Sequence, residues 1–121
     1  MPRILIVDDS PTSRAIATRL IGDQHEVVTV SGGAEALEPK ATEGVDLVLL
    51  DLLMPGLDGR AVLARLKARG FVRPVVMMTA DIQETTRAHL LSEGAAGMVH
   101  KPLTRDKLLG AIESALGRRE A

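Results

Sequence analysis

The chain has no cysteine, no tryptophan and no tyrosine among its 121 residues, and Phe71 is its only aromatic residue. The absence of cysteine excludes disulfides, thiolate metal sites and cysteine nucleophiles. Because aromatic residues are so scarce, the hydrophobic residues, 45% of the chain, must form an aliphatic core. This length and composition fit one globular domain, and we expect a single domain over residues 1–121.

Charge is nearly balanced, with 15 basic and 16 acidic residues and a formal net charge of −1. This balance argues against a basic surface for nucleic acid. No apolar run is long enough to span a bilayer. The first residues, Met1-Pro2-Arg3, lead into a strand-like run and do not resemble a signal peptide. We therefore expect a soluble cytoplasmic protein that binds neither nucleic acid nor membranes.

Five short apolar segments alternate with segments of helical periodicity. The predicted strands are residues 4–7, 26–30, 47–50, 74–78 and 97–100. The predicted helices are residues 11–22, 34–42, 59–69, 84–92 and a last helix after Thr104. Such alternation is typical of the α/β class, in which helices cover both faces of a parallel sheet. Pro39 should kink or shorten the second helix because proline lacks a backbone N–H.

Some helix boundaries and faces can also be predicted. Three helices follow residues that favour the N-cap position: Ser10, Asp58 and Thr104. The first helix is predicted from two pairs of apolar residues four positions apart: Ile16 with Leu20, and Ala17 with Ile21.

Polar side chains follow the ends of four predicted strands: Asp8, Asp9, Asp51, Thr79 and Lys101. Ligands of open α/β sheets bind at the carboxyl ends of the strands, so we expect these side chains to form one site. Three crowded carboxylates repel one another, and a divalent cation would neutralise them. Oxygen ligands on a rigid scaffold favour Mg²⁺, which often shares its site with a phosphate. A carboxylate nucleophile beside Mg²⁺ and a lysine is typical of phosphoryl acceptance.

The chain resembles the receiver domain of two-component response regulators, especially the stand-alone chemotaxis type, in four motifs: Asp8-Asp9, Asp51 within DLLMPGLDG, Thr79-Ala80 and Lys101-Pro102. The resemblance covers essentially the whole chain. It implies a flavodoxin-like parallel sheet of five strands in the order 2-1-3-4-5, with helices on both faces. It also implies a phosphorylation-dependent signalling switch that catalyses only its own phosphorylation and dephosphorylation, and is therefore not an enzyme acting on external substrates.

The resemblance assigns the phosphoacceptor and the metal ligands. Asp51 would accept the phosphoryl group in an Mg²⁺-dependent reaction. Asp9 and Asp51 would bind Mg²⁺ directly, and Asp8 would bind it through water. The backbone carbonyl of Leu53 would supply a further ligand.

The resemblance also assigns the switch residues. The Thr79 hydroxyl would move toward the phosphoryl group, and the Lys101 ammonium would contact it. Pro102 completes a Lys-Pro pair that is often cis in the family. Met98 is a departure, because the family usually has Tyr or Phe three residues before the lysine. Methionine can fill the same groove but has no ring, so the coupling from the site to the output surface is predicted to differ here.

The resemblance implies two protein partners. A sensor histidine kinase or a phosphotransfer protein would donate the phosphoryl group, and a downstream target protein would respond to it. No DNA-binding helix-turn-helix is found in the sequence, so output is predicted through protein contact. We expect a monomer, with a phosphorylation-linked dimer as the alternative.

Two other function classes use similar residues. An aspartate-nucleophile phosphohydrolase usually needs a second acid two residues past the nucleophile, where this chain has Leu53. A flavin or nucleotide carrier would need a glycine- and hydroxyl-rich phosphate loop after the first strand, where Asp8-Asp9 would instead repel a phosphate. Surface or structural roles are predicted for the three histidines, which share no metal-ligand spacing: His25, His89 and His100.

Overall fold

The computed structural model describes residues 1–80 and 83–117. The strands in these ranges are β1 (Arg3–Val7), β2 (Glu26–Val30), β3 (Leu47–Asp51), β4 (Val75–Thr79) and β5 (Gly97–His100). The helices are α1 (Pro11–Ile21), α2 (Gly33–Ala36), α3 (Pro39–Thr42), α4 (Gly59–Ala68), α5 (Glu84–Ser92) and α6 (Arg105–Leu116). The predicted alternation of strands and helices is confirmed.

The second predicted helix is divided into α2 and α3, and Pro39 is the first residue of α3. Proline is favoured at the first helical position because the N–H that it lacks would have no partner there. The Arg69 side chain donates a hydrogen bond to the carbonyl of Leu37, the residue that follows α2. The predicted interruption at Pro39 is thus observed as two short helices, with Pro39 at the start of the second.

The five strands form one parallel sheet in the order β2-β1-β3-β4-β5. This order confirms the flavodoxin-like fold that the resemblance implied. In the register, Asp51 is paired with Met78, and Thr79 is paired with His100. The carboxyl ends of neighbouring strands therefore lie side by side at one edge of the sheet, which we call the carboxyl edge.

Each face of the sheet is buried beneath helices. One core cluster includes Leu5, Val7, Val48, Leu50, Val75 and Met77 from the strands and Val62, Leu63 and Leu66 from α4. The other includes Ile4, Ile6, Leu47, Leu49, Val76 and Met78 from the strands, Ala17 and Ile21 from α1, and Leu108 and Ile112 from α6. Burial on both faces explains why β1, β3 and β4 are continuous apolar runs rather than alternating ones.

The predicted N-caps are confirmed. The side chains of Ser10, Asp58 and Thr104 each accept a hydrogen bond from the backbone N–H three residues further on. None of the helices in the described ranges is long and apolar enough to cross a membrane.

The two apolar pairs of α1 differ in burial. Ala17 and Ile21 are fully buried, and Leu20 packs against the same cluster. Ile16, however, is 44% exposed, so the two apolar pairs do not share one fully buried face. Successive helical residues are rotated by about 100° around the axis. When Ala17 is at the centre of the buried face, Ile16 therefore lies at the edge of that face.

Candidate functional site

Three carboxylates meet at the carboxyl edge of the sheet. Asp8 and Asp51 are buried, with 1% and 5% of their surface exposed, whereas Asp9 is exposed. One carboxylate oxygen from each residue lies within 4.8 Å of the other two. Within residues 1–80 and 83–117, this is the only group of three or more carboxylates or histidines whose spacing could hold a metal ion.

The turn after β1 holds Asp8 in place. The Asp8 N–H donates to the carbonyl of Val30 at 3.3 Å, which extends the pairing of β1 with β2. The Ser10 N–H donates to Asp8 Oδ1 at 2.9 Å. Arg14 Nη1 donates to the Asp8 carbonyl at 2.8 Å. The buried carboxylate therefore has a fixed orientation at the start of α1.

Lys101 brings a positive charge to this cluster from the end of β5. Its Nζ lies 3.2 Å from Asp51 Oδ1 and 3.4 Å from Asp8 Oδ2. The Lys101 N–H donates to the carbonyl of Thr79 at 2.8 Å, and the Lys101–Pro102 peptide bond is cis. One ammonium is thus shared between two buried carboxylates.

The pKa of Asp51 is raised above its ordinary value. Burial is the largest cause because it disfavours the charged form, and the neighbouring charge of Asp8 adds to it. The positive charge of Lys101 opposes the rise without cancelling it, and the charge of Asp9 contributes a smaller increase. Lys101 therefore offsets only part of the cost of charging Asp51 beside Asp8 and Asp9.

The donor set fits a hard divalent cation. It consists of carboxylate oxygens, two of them from buried residues whose positions are fixed by β1 and β3. Such oxygens suit Mg²⁺, which keeps several waters and binds through a small number of carboxylates. A cation at this position would neutralise the charge that Lys101 leaves uncompensated.

A close approach of backbone segments shapes the loop after Asp51. The Gly59 N–H donates to the carbonyl of Leu52 at 2.9 Å, which returns the chain to the end of β3. A Cβ at Gly59 would lie 2.3 Å from the Asp51 carbonyl oxygen, so only glycine fits without a backbone shift. Leu53 is in the same loop, and its side chain is 72% exposed. A leucine side chain cannot act as a general acid, so this position offers no support for a phosphohydrolase.

Thr79 and Met98 lie on neighbouring strands. Thr79 is the last residue of β4 and is 2% exposed. Met98 is half-buried on β5, paired with Met77, and packs against the core cluster that contains α4. The structure therefore places Thr79 at the carboxyl edge and Met98 two residues before the end of β5, within the sheet.

The histidines lie outside the carboxylate cluster. His25 is 6% exposed, and His89 and His100 are exposed. The residue that the sequence did not single out is Arg14. Its contact with the Asp8 carbonyl depends on the packing of α1 against the sheet, and hydrophobic periodicity contains no signal for it.

Comparison with known proteins gives a family match. Residues 4–113 match the family model of the response regulator receiver domain. The chain is 37% identical over 118 residues to the transcriptional regulatory protein TcrA of Mycobacterium tuberculosis, which covers 97% of this chain and 46% of that protein. It is 35% identical over 117 residues to the sensor protein GacS of Pseudomonas syringae, which covers 92% of this chain and 13% of that protein. The chain thus spans less than half the length of these relatives.

Solved structures give the same result for the fold. The chemotaxis protein CheY4 of Vibrio cholerae superposes with a TM-score of 0.85 at 28% identity, covering 96% of this chain and 99% of that one. A response regulator receiver domain protein from Clostridium thermocellum superposes with a TM-score of 0.88 at 28% identity, covering 99% and 98%. Both neighbours are receiver domains, and they are compatible with the predicted chemotaxis-type resemblance.

Proposed function

Because the chain belongs to the response regulator receiver domain family of two-component signalling, we propose that Asp51 is its phosphoacceptor. The observation that supports this most is the position of Asp51, a buried carboxylate at the end of β3 with Lys101 Nζ 3.2 Å from Oδ1. We assign residues 1–121 to this one domain.

The phosphoryl group would come from a phosphohistidine of a sensor kinase or a phosphotransfer protein. A carboxylate oxygen of Asp51 forms the new bond to phosphorus. The bond from phosphorus to the imidazole nitrogen breaks, and its electron pair stays on the imidazole. The protein has little covalent chemistry to perform in such a transfer, so positioning and charge stabilisation supply most of the catalysis.

The residues around Asp51 have separate roles in this proposal. Asp9 and Asp51 would hold Mg²⁺ directly, Asp8 would hold it through water, and the Leu53 carbonyl would supply a further ligand. When bound, Mg²⁺ neutralises charge on the transferring phosphoryl group. Lys101 contacts a phosphoryl oxygen, an interaction for which a mobile ammonium is suited.

Thr79 would couple phosphorylation to a change at the surface. Its hydroxyl lies at the carboxyl edge and could donate a hydrogen bond to a phosphoryl oxygen on Asp51. Such a contact exists only in the phosphorylated state, and it therefore biases the conformational equilibrium toward that state. The output is regulation of a downstream protein, and we propose a cytoplasmic monomer that binds neither nucleic acid nor membrane, with phosphorylation-linked dimerisation as the alternative.

The test is covalent labelling by a small phosphodonor. Acetyl phosphate with Mg²⁺ should add one phosphoryl group, measured by intact mass. Asp51→Asn should abolish the addition, and chelation of Mg²⁺ should prevent it. Asp106→Asn is the control, because Asp106 is an exposed acid in the first turn of α6 and should be dispensable for labelling. Undiminished labelling of the Asp51→Asn protein would refute the assignment.

A further inference from the structure

Arg14 contacts the turn that carries two of the three carboxylates. Its Nη1 donates to the Asp8 carbonyl at 2.8 Å, and the residue is half-buried on the second turn of α1. That carbonyl belongs to the peptide group that joins Asp8 to Asp9. Because a peptide group is planar, a hydrogen bond to its oxygen restrains the whole plane.

The other contacts of this turn act on groups on either side of the Asp8–Asp9 peptide. The Asp8 N–H is bonded to Val30, and the Asp8 carboxylate accepts from the Ser10 N–H. Lys101 Nζ also contacts this carboxylate, so these contacts restrain the Asp8 amide, the Asp8 side chain and the Asp9–Ser10 peptide. Asp9 itself is exposed, so the position of its carboxylate depends on how its backbone leaves the Asp8 peptide. The Arg14 contact acts on that peptide.

We propose that Arg14 is a positioning residue for the metal site. By fixing the Asp8–Asp9 peptide, it directs the Asp9 carboxylate toward those of Asp8 and Asp51. The inference rests on the proposed function, since it concerns the binding of Mg²⁺ by these carboxylates.

The hydrogen bond of Arg14 and its positive charge should change the affinity for Mg²⁺ in opposite directions. A guanidinium that contacts the Asp8 carbonyl brings a positive charge near the site and repels an incoming cation, so its charge alone would weaken Mg²⁺ binding. The charge of Arg14 also acts on the carboxylate of Glu35. Hydrogen bonds from the N–H and the hydroxyl of Ser31 lower the pKa of that carboxyl, and the charge of Arg14 makes a smaller contribution in the same direction. Removing Arg14 therefore distinguishes the two roles by the sign of the change in affinity.

Three variants make this comparison. Arg14→Met removes both the donor and the charge while retaining a long side chain. Arg14→Lys retains the charge and a single donor but loses the planar guanidinium. Arg19→Met is the matched control, because Arg19 is an exposed arginine in the last turn of the same helix. Thermal melts in EDTA establish that each variant is folded.

The dissociation constant of Mg²⁺ is measured by calorimetric titration. Arg14→Met should bind Mg²⁺ about tenfold more weakly than the wild type. This is the lower end of the loss in metal affinity that follows when a group hydrogen-bonded to a metal-binding residue is removed. Arg14→Lys should be intermediate, and Arg19→Met should match the wild type. In acetyl phosphate labelling, the Mg²⁺ concentration for half-maximal rate should rise in parallel, while the rate at saturating Mg²⁺ should not change.

An affinity of Arg14→Met equal to or higher than that of the wild type would overturn the inference. If Arg14→Met does not fold, Arg14→Lys decides alone, because a role limited to charge predicts wild-type affinity for it and a positioning role predicts weaker binding. A wild-type protein that binds no Mg²⁺ would overturn the metal site of the proposed function together with this inference.

Discussion

Lys101 reaches Asp51 across the strand that separates them. β4 lies between β3 and β5, yet Lys101 Nζ is 3.2 Å from Asp51 Oδ1. The same nitrogen is 3.4 Å from Asp8 Oδ2, so a single ammonium serves two buried carboxylates. The resulting excess of negative charge determines how the metal-free protein responds to substitution and to pH.

Asp51→Asn should stabilise the metal-free protein. The substitution removes the buried negative charge of Asp51. The charge of Asp8 repels it, and Lys101 compensates it only in part. We expect a gain of about 1 kcal/mol in the free energy of unfolding, which corresponds to roughly 4 °C in Tm for a domain of this size. Thermal unfolding in EDTA measures it. Asp106→Asn is the control and should not raise Tm, and a lower Tm for Asp51→Asn would show that its carboxylate is structurally satisfied.

The stabilisation by Asp51→Asn should depend on pH. The folded-state pKa of Asp51 is raised, so below its ordinary pKa the carboxyl is neutral in both the folded and the unfolded protein and carries no penalty. The penalty appears as pH rises through the ordinary value and is complete above the folded-state pKa. The advantage of Asp51→Asn should therefore grow as pH rises from the ordinary aspartate pKa, about 4, through the raised folded-state pKa. Urea unfolding of both proteins across this range tests the sign, and an advantage that shrinks with rising pH would contradict it.

Gly59→Ala should destabilise the protein and distort the site. The added Cβ would lie 2.3 Å from the Asp51 carbonyl oxygen, and backbone atoms cannot move aside as a flexible side chain can. We expect a loss of about 2 kcal/mol. Gly110→Ala is the control, because a Cβ added at this position of α6 would meet no neighbouring group within 4 Å. That substitution should stabilise by about 0.5 kcal/mol through helix propensity. Urea unfolding compares the two, and equal effects would contradict the account of the Asp51 loop.

Met98 should respond little to phosphorylation. It is a flexible side chain packed against the core cluster opposite Met77, and it has several accessible rotamers rather than two ring positions. We expect the main change in the segment from Asp81 to Thr86, of which Asp81 and Ile82 lie outside the described residues and Glu84 to Thr86 belong to the first turn of α5. Methyl and backbone NMR shifts with and without beryllofluoride and Mg²⁺ measure both.

Two results would contradict the prediction for Met98. One is a large, discrete methyl shift at Met98 with unchanged shifts in the segment from Asp81 to Thr86. The other is a Met98→Ala variant that loses partner binding while it is still phosphorylated normally, because Met98 would then relay the signal.

The sequence predicted the features of this fold that depend on local chemistry. Apolar runs, capping residues and Pro39 act over a few residues, and they predicted the strands, the capped helix starts and an interruption of the second helix. The exposure of Ile16 was not predicted, because helical periodicity does not specify where the buried face ends.

The contacts within the site depend on tertiary geometry. Topology predicts that the strand ends meet at one edge, and the structure does bring Asp8, Asp9, Asp51 and Lys101 together. Topology does not reveal that one ammonium bridges Asp8 and Asp51. It does not reveal the hydrogen bond from Arg14 to the Asp8 carbonyl either. The arginine side chain is long, and the sequence does not show which of the polar atoms within its reach it contacts.

Site mapping of the phosphoryl group tests the central claim most directly. Protein labelled by acetyl phosphate and Mg²⁺ is treated with borohydride, which reduces an acyl phosphate to an alcohol, and the modified residue is located by peptide mass spectrometry. We expect a single modified residue, Asp51, and no modification when Mg²⁺ is chelated. Modification of Asp8 or Asp9 in place of Asp51 would contradict the account.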